Sequence, residues 1–252
     1  MALRVEFLGH AACLVELDGL TVLTDPAVRD RIGPLRRVVP GPDRETLHRA
    51  DVVVISHLHW DHLDLPSLKL LPRTMPIVVP AGAGAWLSGH GFHDVREAAA
   101  GDALPFGDVT IEVVPALHSG FRPPRGPTAD AVGYVLRGSR SVYFAGDTAR
   151  FDEMADHTGD LDLALLPVWG WGPTLGRGLH MDPVEAAESL RLLRPRAAMP
   201  IHWGTYWPHA MGRVRPELLV EPPAAFAEHA AETMPRVRIL LPEVGETVAW
   251  PR

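Results

Sequence analysis

The β-branched run Val52-Val53-Val54-Ile55 passes without a break into Ser56-His57-Leu58-His59-Trp60-Asp61-His62-Leu63-Asp64. A continuous apolar run of this kind marks a strand covered on both faces, so the chain has to supply layers on either side of it. The strand also ends in four potential metal ligands within six residues. Imidazole and carboxylate together suit a borderline divalent ion such as zinc. Alternate spacing aims His57 and His59 the same way off an extended segment, while Asp61 and His62 fall at the turn into a helix and face a second position. One loop can therefore feed two neighbouring ions.

The rest of the chain repeats this rhythm of short apolar runs and Gly/Pro/Asp turns. Val5 to Leu8, Ala12 to Leu17 and Thr21 to Thr24 read as a meander, with Asp18-Gly19 as a hairpin turn. The segment Arg29 to Arg44, rich in Arg, Pro and Gly, reads as a loop. Ile77 to Val79, Val109 to Val114, Val132 to Leu136, Val142 to Ala145, Leu161 to Leu166, Ala197 to Ile201 and Val237 to Leu241 read as further strands. Asp182-Pro183-Val184-Glu185 is a helix start, with Asp as N-cap, Pro at the first position and Glu at the third. That helix ends at Arg194-Pro195, and Ala224 to Glu232 is a second one. Two β-rich halves with helices outside each imply two sheets packed face to face, in one domain over residues 1–252.

Composition narrows the classes further. With 46% hydrophobic and 22% charged residues among 252, the chain is an ordinary globular one, not a disordered one. A single cysteine, Cys13, excludes an internal disulfide framework. No run approaches the roughly 20 apolar residues of a membrane span, and Glu6 sits where a secretion signal would be apolar. A cytoplasmic location is the expectation. The net charge of −7, from 24 basic and 31 acidic residues, argues against a nucleic-acid partner. Oligomeric state is not readable from the sequence.

Three further ligand types stand directly after apolar runs: His118 in Pro115-Ala116-Leu117-His118, Asp147 in Phe144-Ala145-Gly146-Asp147, and His202 in Pro200-Ile201-His202-Trp203. Singly, each reads equally as a turn cap or a structural histidine. In order with the His57 to His62 loop, they resemble the metallo-β-lactamase superfamily. Leu8-Gly9-His10-Ala11, Thr24-Asp25-Pro26, His180-Met181-Asp182-Pro183 and Ile201-His202-Trp203-Gly204-Thr205 are similar to the branch that holds N-acyl-phosphatidylethanolamine-hydrolysing phospholipase D and L-ascorbate-6-phosphate lactonase. The resemblance implies an α/β fold, an αβ/βα four-layer sandwich of two mixed sheets flanked by helices. It also implies a dinuclear site in the cleft between the sheets. His57, His59 and His118 would hold one ion, Asp61, His62 and His202 the other, and Asp147 would bridge them. Zinc is the favoured ion, with manganese or iron the alternatives.

The activity implied is hydrolysis by a hydroxide generated between two ions. A phosphodiester or phosphorylated small molecule is the first expectation, and the Arg29 to Arg44 loop is a candidate phosphate contact. A lactone or other carbonyl ester is the alternative. A nuclease, a redox di-iron protein and a non-catalytic metal-binding module rank below these. Asp61 is also expected to orient the attacking water. His180 is a candidate substrate contact or proton donor, Asp25 a candidate hydrogen-bond partner of a ligand histidine, and Trp169-Gly170-Trp171-Gly172-Pro173 a candidate aromatic rim. His10 reads as a buried structural histidine. His90, His93, His157, His209 and His229 have no companion ligands and carry no expectation.

Overall fold

The computed structural model describes residues 3–169, 178–209 and 215–249. In the first half, β1 (Arg4–Gly9), β2 (Ala12–Leu17) and β3 (Leu20–Thr24) form the expected meander. A small hairpin follows, β4 (Arg31–Ile32) and β5 (Leu35–Arg37). Then α1 (Arg44–Leu47), β6 (Val52–Val54), α2 (Leu65–Leu68), β7 (Ile77–Pro80), α3 (Gly84–Ser88) and β8 (Val95–Ala98) alternate. The second half runs β9 (Ala103–Phe106), β10 (Val109–Pro115), β11 (Val132–Arg137), β12 (Ser141–Phe144), α4 (Met154–Thr158), β13 (Leu163–Pro167), α5 (Pro183–Leu193) and β14 (Ala197–Ile201). It closes with β15 (Tyr206–Pro208), a 3-10 helix (Pro216–Leu219), α6 (Glu221–Thr233), β16 (Arg238–Ile239) and β17 (Thr247–Ala249).

The strands make two seven-stranded mixed sheets, ordered β17-β1-β2-β3-β6-β7-β8 and β16-β14-β13-β12-β11-β10-β9. Each has an antiparallel side and a parallel side. Parallel neighbours need a crossover, and α1 to α3 serve the first sheet as α4 to α6 serve the second. Between the sheets lies one core, where Phe7, Val52 and Val54 face Ile111, Tyr134, Phe144 and Met199. The alternate residues Val53 and Ile55 point the other way, into a second core with Leu68 and Leu87. Ala198 does the same in the second sheet, meeting Ala187, Leu190 and Phe226. Side chains that alternate between two apolar layers explain the uninterrupted β-branched run. The expected four-layer αβ/βα sandwich is the fold observed.

One expectation needs correction. Residues 29–44 are not a loop throughout: β4 and β5 pair around Gly33-Pro34, and β15 adds a third strand to β5. Two arginines of this segment bind the protein itself. Arg29 forks onto Asp64 at 2.7 and 2.9 Å. Arg37 is buried and donates to the carbonyls of Leu8 and Pro40. Strands β8, β9 and β17 also carried no clear sequence signal.

Candidate metal centre

Every strand that feeds the centre does so from its C-terminal end. His10 follows β1, Asp25 β3, His57 β6, His118 β10, Asp147 β12, Trp169 β13 and His202 β14. The carboxyl ends of open α/β sheets are where such crevices form. Two glycines permit the close approach. A Cβ on Gly146 would lie 2.4 Å from Ser56 Cβ, so only glycine lets the Asp147 loop meet the His57 loop. Gly9, at φ +102°, leaves room for Arg37 and Thr205. Three site residues hold left-handed backbone: Asp25 at φ 31°, His10 at 57° and His202 at 62°. Such conformations cost about 1–3 kcal/mol each and persist only where the surroundings impose them.

The seven expected ligands converge. His57 Nε2 lies 3.0 Å from His59 Nδ1, and His118 Nε2 lies 3.1 Å from the same atom. A second group has Asp61 Oδ2 at 3.9 Å from His62 Nε2 and 3.7 Å from His202 Nε2. Asp147 Oδ2 stands between, 3.2 and 3.3 Å from His62 and His202 and 3.9 and 4.0 Å from His57 and His118. Ligands about 2.0–2.1 Å from a tetrahedral zinc are separated by roughly 3.3 Å, a value these spacings bracket.

The hydrogen bonds behind the rings orient them for an ion. His62 Nδ1 donates to Asp25 Oδ2 at 2.6 Å, His118 Nδ1 to the Leu179 carbonyl at 2.7 Å, and His202 Nδ1 to the Trp169 carbonyl at 2.6 Å. Ser56 Oγ donates to Asp25 Oδ2 at 2.5 Å, so it accepts from His57 Nδ1 at 3.0 Å. In all four the proton is held on Nδ1 and Nε2 is turned to the cluster, the arrangement that backs metal-bound imidazoles. Asp147 Oδ1 is buried with no hydrogen-bond partner. Buried polar atoms are seldom left so, and a cation would satisfy this one. The donor set fits a divalent metal.

A family model for the beta-lactamase superfamily domain matches residues 21–203, a span that holds all seven. The chain belongs to the metallo-β-lactamase superfamily. It is a member of the superfamily's metal-dependent hydrolases, and several relatives carry that description. It is 31% identical to a metal-dependent hydrolase of Methanopyrus kandleri, covering 97% of this chain and 99% of that one. It is 34% identical to an uncharacterised protein of Mycobacterium tuberculosis, over 92% of this chain and 67% of that one. An N-acyl-phosphatidylethanolamine-hydrolyzing phospholipase D of Caenorhabditis elegans is 33% identical over 81% of this chain and 64% of its own length. Among solved structures, a metallo hydrolase of Ignicoccus hospitalis aligns over the whole of both chains with a TM-score of 0.76 at 24% identity. An isothiocyanate hydrolase from Delia radicum gut bacteria gives 0.76 at 20% identity, over 98% and 99% of the two chains. These two likenesses carry the superfamily fold.

Charge in the centre follows from the same geometry. Burial pushes the Asp147 and Asp61 carboxyls up, but the histidines around them hold both well below the usual carboxylate range. Burial opposes protonation of His202, yet Asp147 and Asp61 push it up to about 9. Asp147 and Asp25 likewise raise His62 against the effect of its burial. Burial brings His118 down to about 4 and, with His202 alongside, His10 to about 3. His57 is also driven well below its ordinary value, chiefly by burial. Part of the superfamily centre is thus ready to bind a cation, and part holds protons that a cation would displace.

The residues of lesser signal separate clearly. Asp25 is fully buried; besides His62 and Ser56 Oγ it accepts the Ser56 N–H at 2.7 Å. His180 points into the centre, with Nε2 3.0 Å from Asp147 Oδ2. His10 is more than a packed histidine, because its Nε2 lies 3.1 Å from Asp61 Oδ2 and its ring 4.0 Å from that of His202. The sequence marked it only as part of the Leu8-Gly9-His10-Ala11 stretch, with no role attached. Arg122 had no sequence signal; its Nη1 donates to the carbonyls of Leu58 and Leu63 and fixes the ends of the ligand turn. Trp169 is buried and stacks on Trp207, so it is not a rim residue. Gly170 to Pro173 lie outside the described residues. Among those residues, no helix is long and apolar enough to cross a membrane.

Proposed function

We propose that the chain hydrolyses a phosphodiester at a two-ion centre. His57, His59 and His118 hold one ion, Asp61, His62 and His202 the other, and Asp147 both, with zinc favoured by the nitrogen-rich donor set. The observation that carries this reading is the position of Asp147 Oδ2, within 4.0 Å of ring nitrogens from both groups. When bound, two such ions lower the pKa of a water toward 7 and polarise the substrate oxygen. Asp61, held by His10, accepts a hydrogen bond from the attacking water and so orients it, and the proton that the water loses passes to solvent. Water oxygen bonds to phosphorus as the ester P–O bond breaks. His180 Nε2 gives its proton to the departing oxygen, as a general acid does.

The phosphodiester assignment draws on the nematode relative, whose name describes a phospholipase D. Of the five arginines between Arg29 and Arg44, Arg29 and Arg37 are committed to Asp64 and to backbone carbonyls. A carboxylic ester or lactone is the second reading, favoured by the cavity beside His59 and Asp61, whose lining includes no Lys or Arg.

The test is hydrolysis of bis(p-nitrophenyl) phosphate beside a γ-lactone by zinc- and manganese-loaded protein. Asp147→Ala should lose bound metal and nearly all turnover. His180→Ala should keep its metal and lose turnover about 10²-fold or more, within the usual range for a general acid. Lactone turnover alone would select the second reading. Full activity in a chelated sample would overturn both.

A further inference from the structure

Beside the centre lies a cavity of about 350 Å³ lined by Ile32, Pro34, Leu35, Trp60, Pro123 and Pro208, with His59 and Asp61 as its inner wall. The β4–β5 hairpin supplies one side and Trp60 the other. The indole is fixed before any ligand arrives. Its Nε1 donates to the Pro123 carbonyl at 2.9 Å, and its six-membered ring lies on Gly33, where a Cβ would come within 2.7 Å. The polar atom of the tryptophan is therefore engaged, and an apolar face is left toward the cavity. Three exposed large apolar residues adjoin site residues in the chain: Trp60 beside His59 and Asp61, Leu117 beside His118, and Leu179 beside His180. The His118 bond to the Leu179 carbonyl brings the last two together. Isolated exposed apolar residues such as Leu117 and Leu179 are ordinary; an apolar cavity wall that holds Trp60 and ends on polar residues of the centre points to a ligand.

We propose that this cavity takes an uncharged apolar substituent of the substrate, aryl or branched alkyl, attached close to the scissile bond. At roughly 30 Å³ per water-sized unit it accommodates on the order of ten non-hydrogen atoms. The lining includes no Lys or Arg to grip a second phosphate, and its rigid prolines and indole require little ordering on binding. The proposal rests on the hydrolase reading above, because the inner wall belongs to that centre. It adds what the substrate carries there.

Binding tests it without turnover. Zinc-loaded protein is titrated calorimetrically with methyl-, propyl-, butyl- and phenylphosphonate, whose C–P bonds the proposed hydrolysis does not cleave. Each added methylene buried in the cavity should tighten Kd about fourfold, the equivalent of ~0.8 kcal/mol. Phenylphosphonate should bind more tightly than methylphosphonate by at least tenfold. Leu35→Gln should flatten the series while zinc content and methylphosphonate binding hold; Leu35→Ala serves if the first variant does not fold. Equal Kd values along the series, no phosphonate binding at full zinc loading, or a series unchanged by Leu35 substitution would overturn the proposal. Tighter binding of 2-aminoethylphosphonate than of propylphosphonate would also overturn it, by showing that the occupant is cationic and pairs with Asp61. A rising series in a protein that turns over no phosphodiester would refute the phosphodiester reading and leave the cavity's role intact. Diester turnover with a flat series would do the reverse.

Discussion

Asp25 illustrates how one buried carboxylate orders several other groups. Its two oxygens take the Ser56 N–H, the Ser56 hydroxyl and His62 Nδ1, and Ser56 in turn holds His57. Both donor groups of the centre are thus braced by one buried carboxylate. Asp25→Asn should weaken zinc binding 10–100-fold, as loss of such backing does elsewhere. An amide offers one acceptor oxygen and would turn an NH2 toward groups that also donate. Competition against a chromogenic chelator measures the effect, and unchanged affinity would remove Asp25 from the account. His57, His59, Asp61 and His62 were legible because four ligand types crowd into six residues after an apolar run, whereas His118, Asp147 and His202, each ambiguous alone at a strand end, were legible only through the family resemblance that orders them with that loop. His10 and Arg122 were not, because what defines them is contact with Asp61 and with the Leu58 and Leu63 carbonyls, more than 50 residues away in sequence.

Elements were readable where a local signal suffices. The start of α5 is the clearest case. Asp182 accepts the N–H groups of Val184 and Glu185, Glu185 reaches back to the Asp182 N–H, and Arg194 closes the helix in a left-handed turn. Asp182→Ala should lower unfolding free energy by ~1 kcal/mol in a denaturant titration, with zinc content unchanged. No measurable change would mean that α5 is held by packing on α6 and the second sheet alone. The β4–β5 hairpin was illegible for the opposite reason. Its strands have two and three residues, too short for periodicity, and the partner that extends them, β15, comes some 170 residues later. Yet this hairpin supplies a wall of the cavity beside the centre, so the part that shapes substrate choice is the part least visible in the sequence.

At the scale of the whole molecule, two sheets bring carboxylates and imidazoles together in a largely buried cleft, and charge has to be balanced there. In the metal-free protein a proton does this. Asp147 and Asp61 hold His202 up at about 9, from an ordinary 6.5, and Asp147 with Asp25 raises His62. For a group whose folded pKa is raised, the stabilisation is fully present below the unfolded pKa and is lost as pH rises through the folded one. The His202 contribution is therefore complete below about pH 6.5 and gone above about pH 9. Metal-free protein should lose thermal stability across that window. Metal-loaded protein should not, because His202 Nε2 then holds an ion in place of a proton. Zinc binding at pH 7 should release protons from His62 and His202 but none from His10 or His118, which burial already keeps neutral. Titration calorimetry in two buffers of different ionisation enthalpy counts the protons released. Affinity should climb from pH 6.5 to 9 as His202 empties. Binding without proton release at pH 7 would mean that the carboxylates are not balanced by these two histidines, and that the ion enters a cleft already neutral.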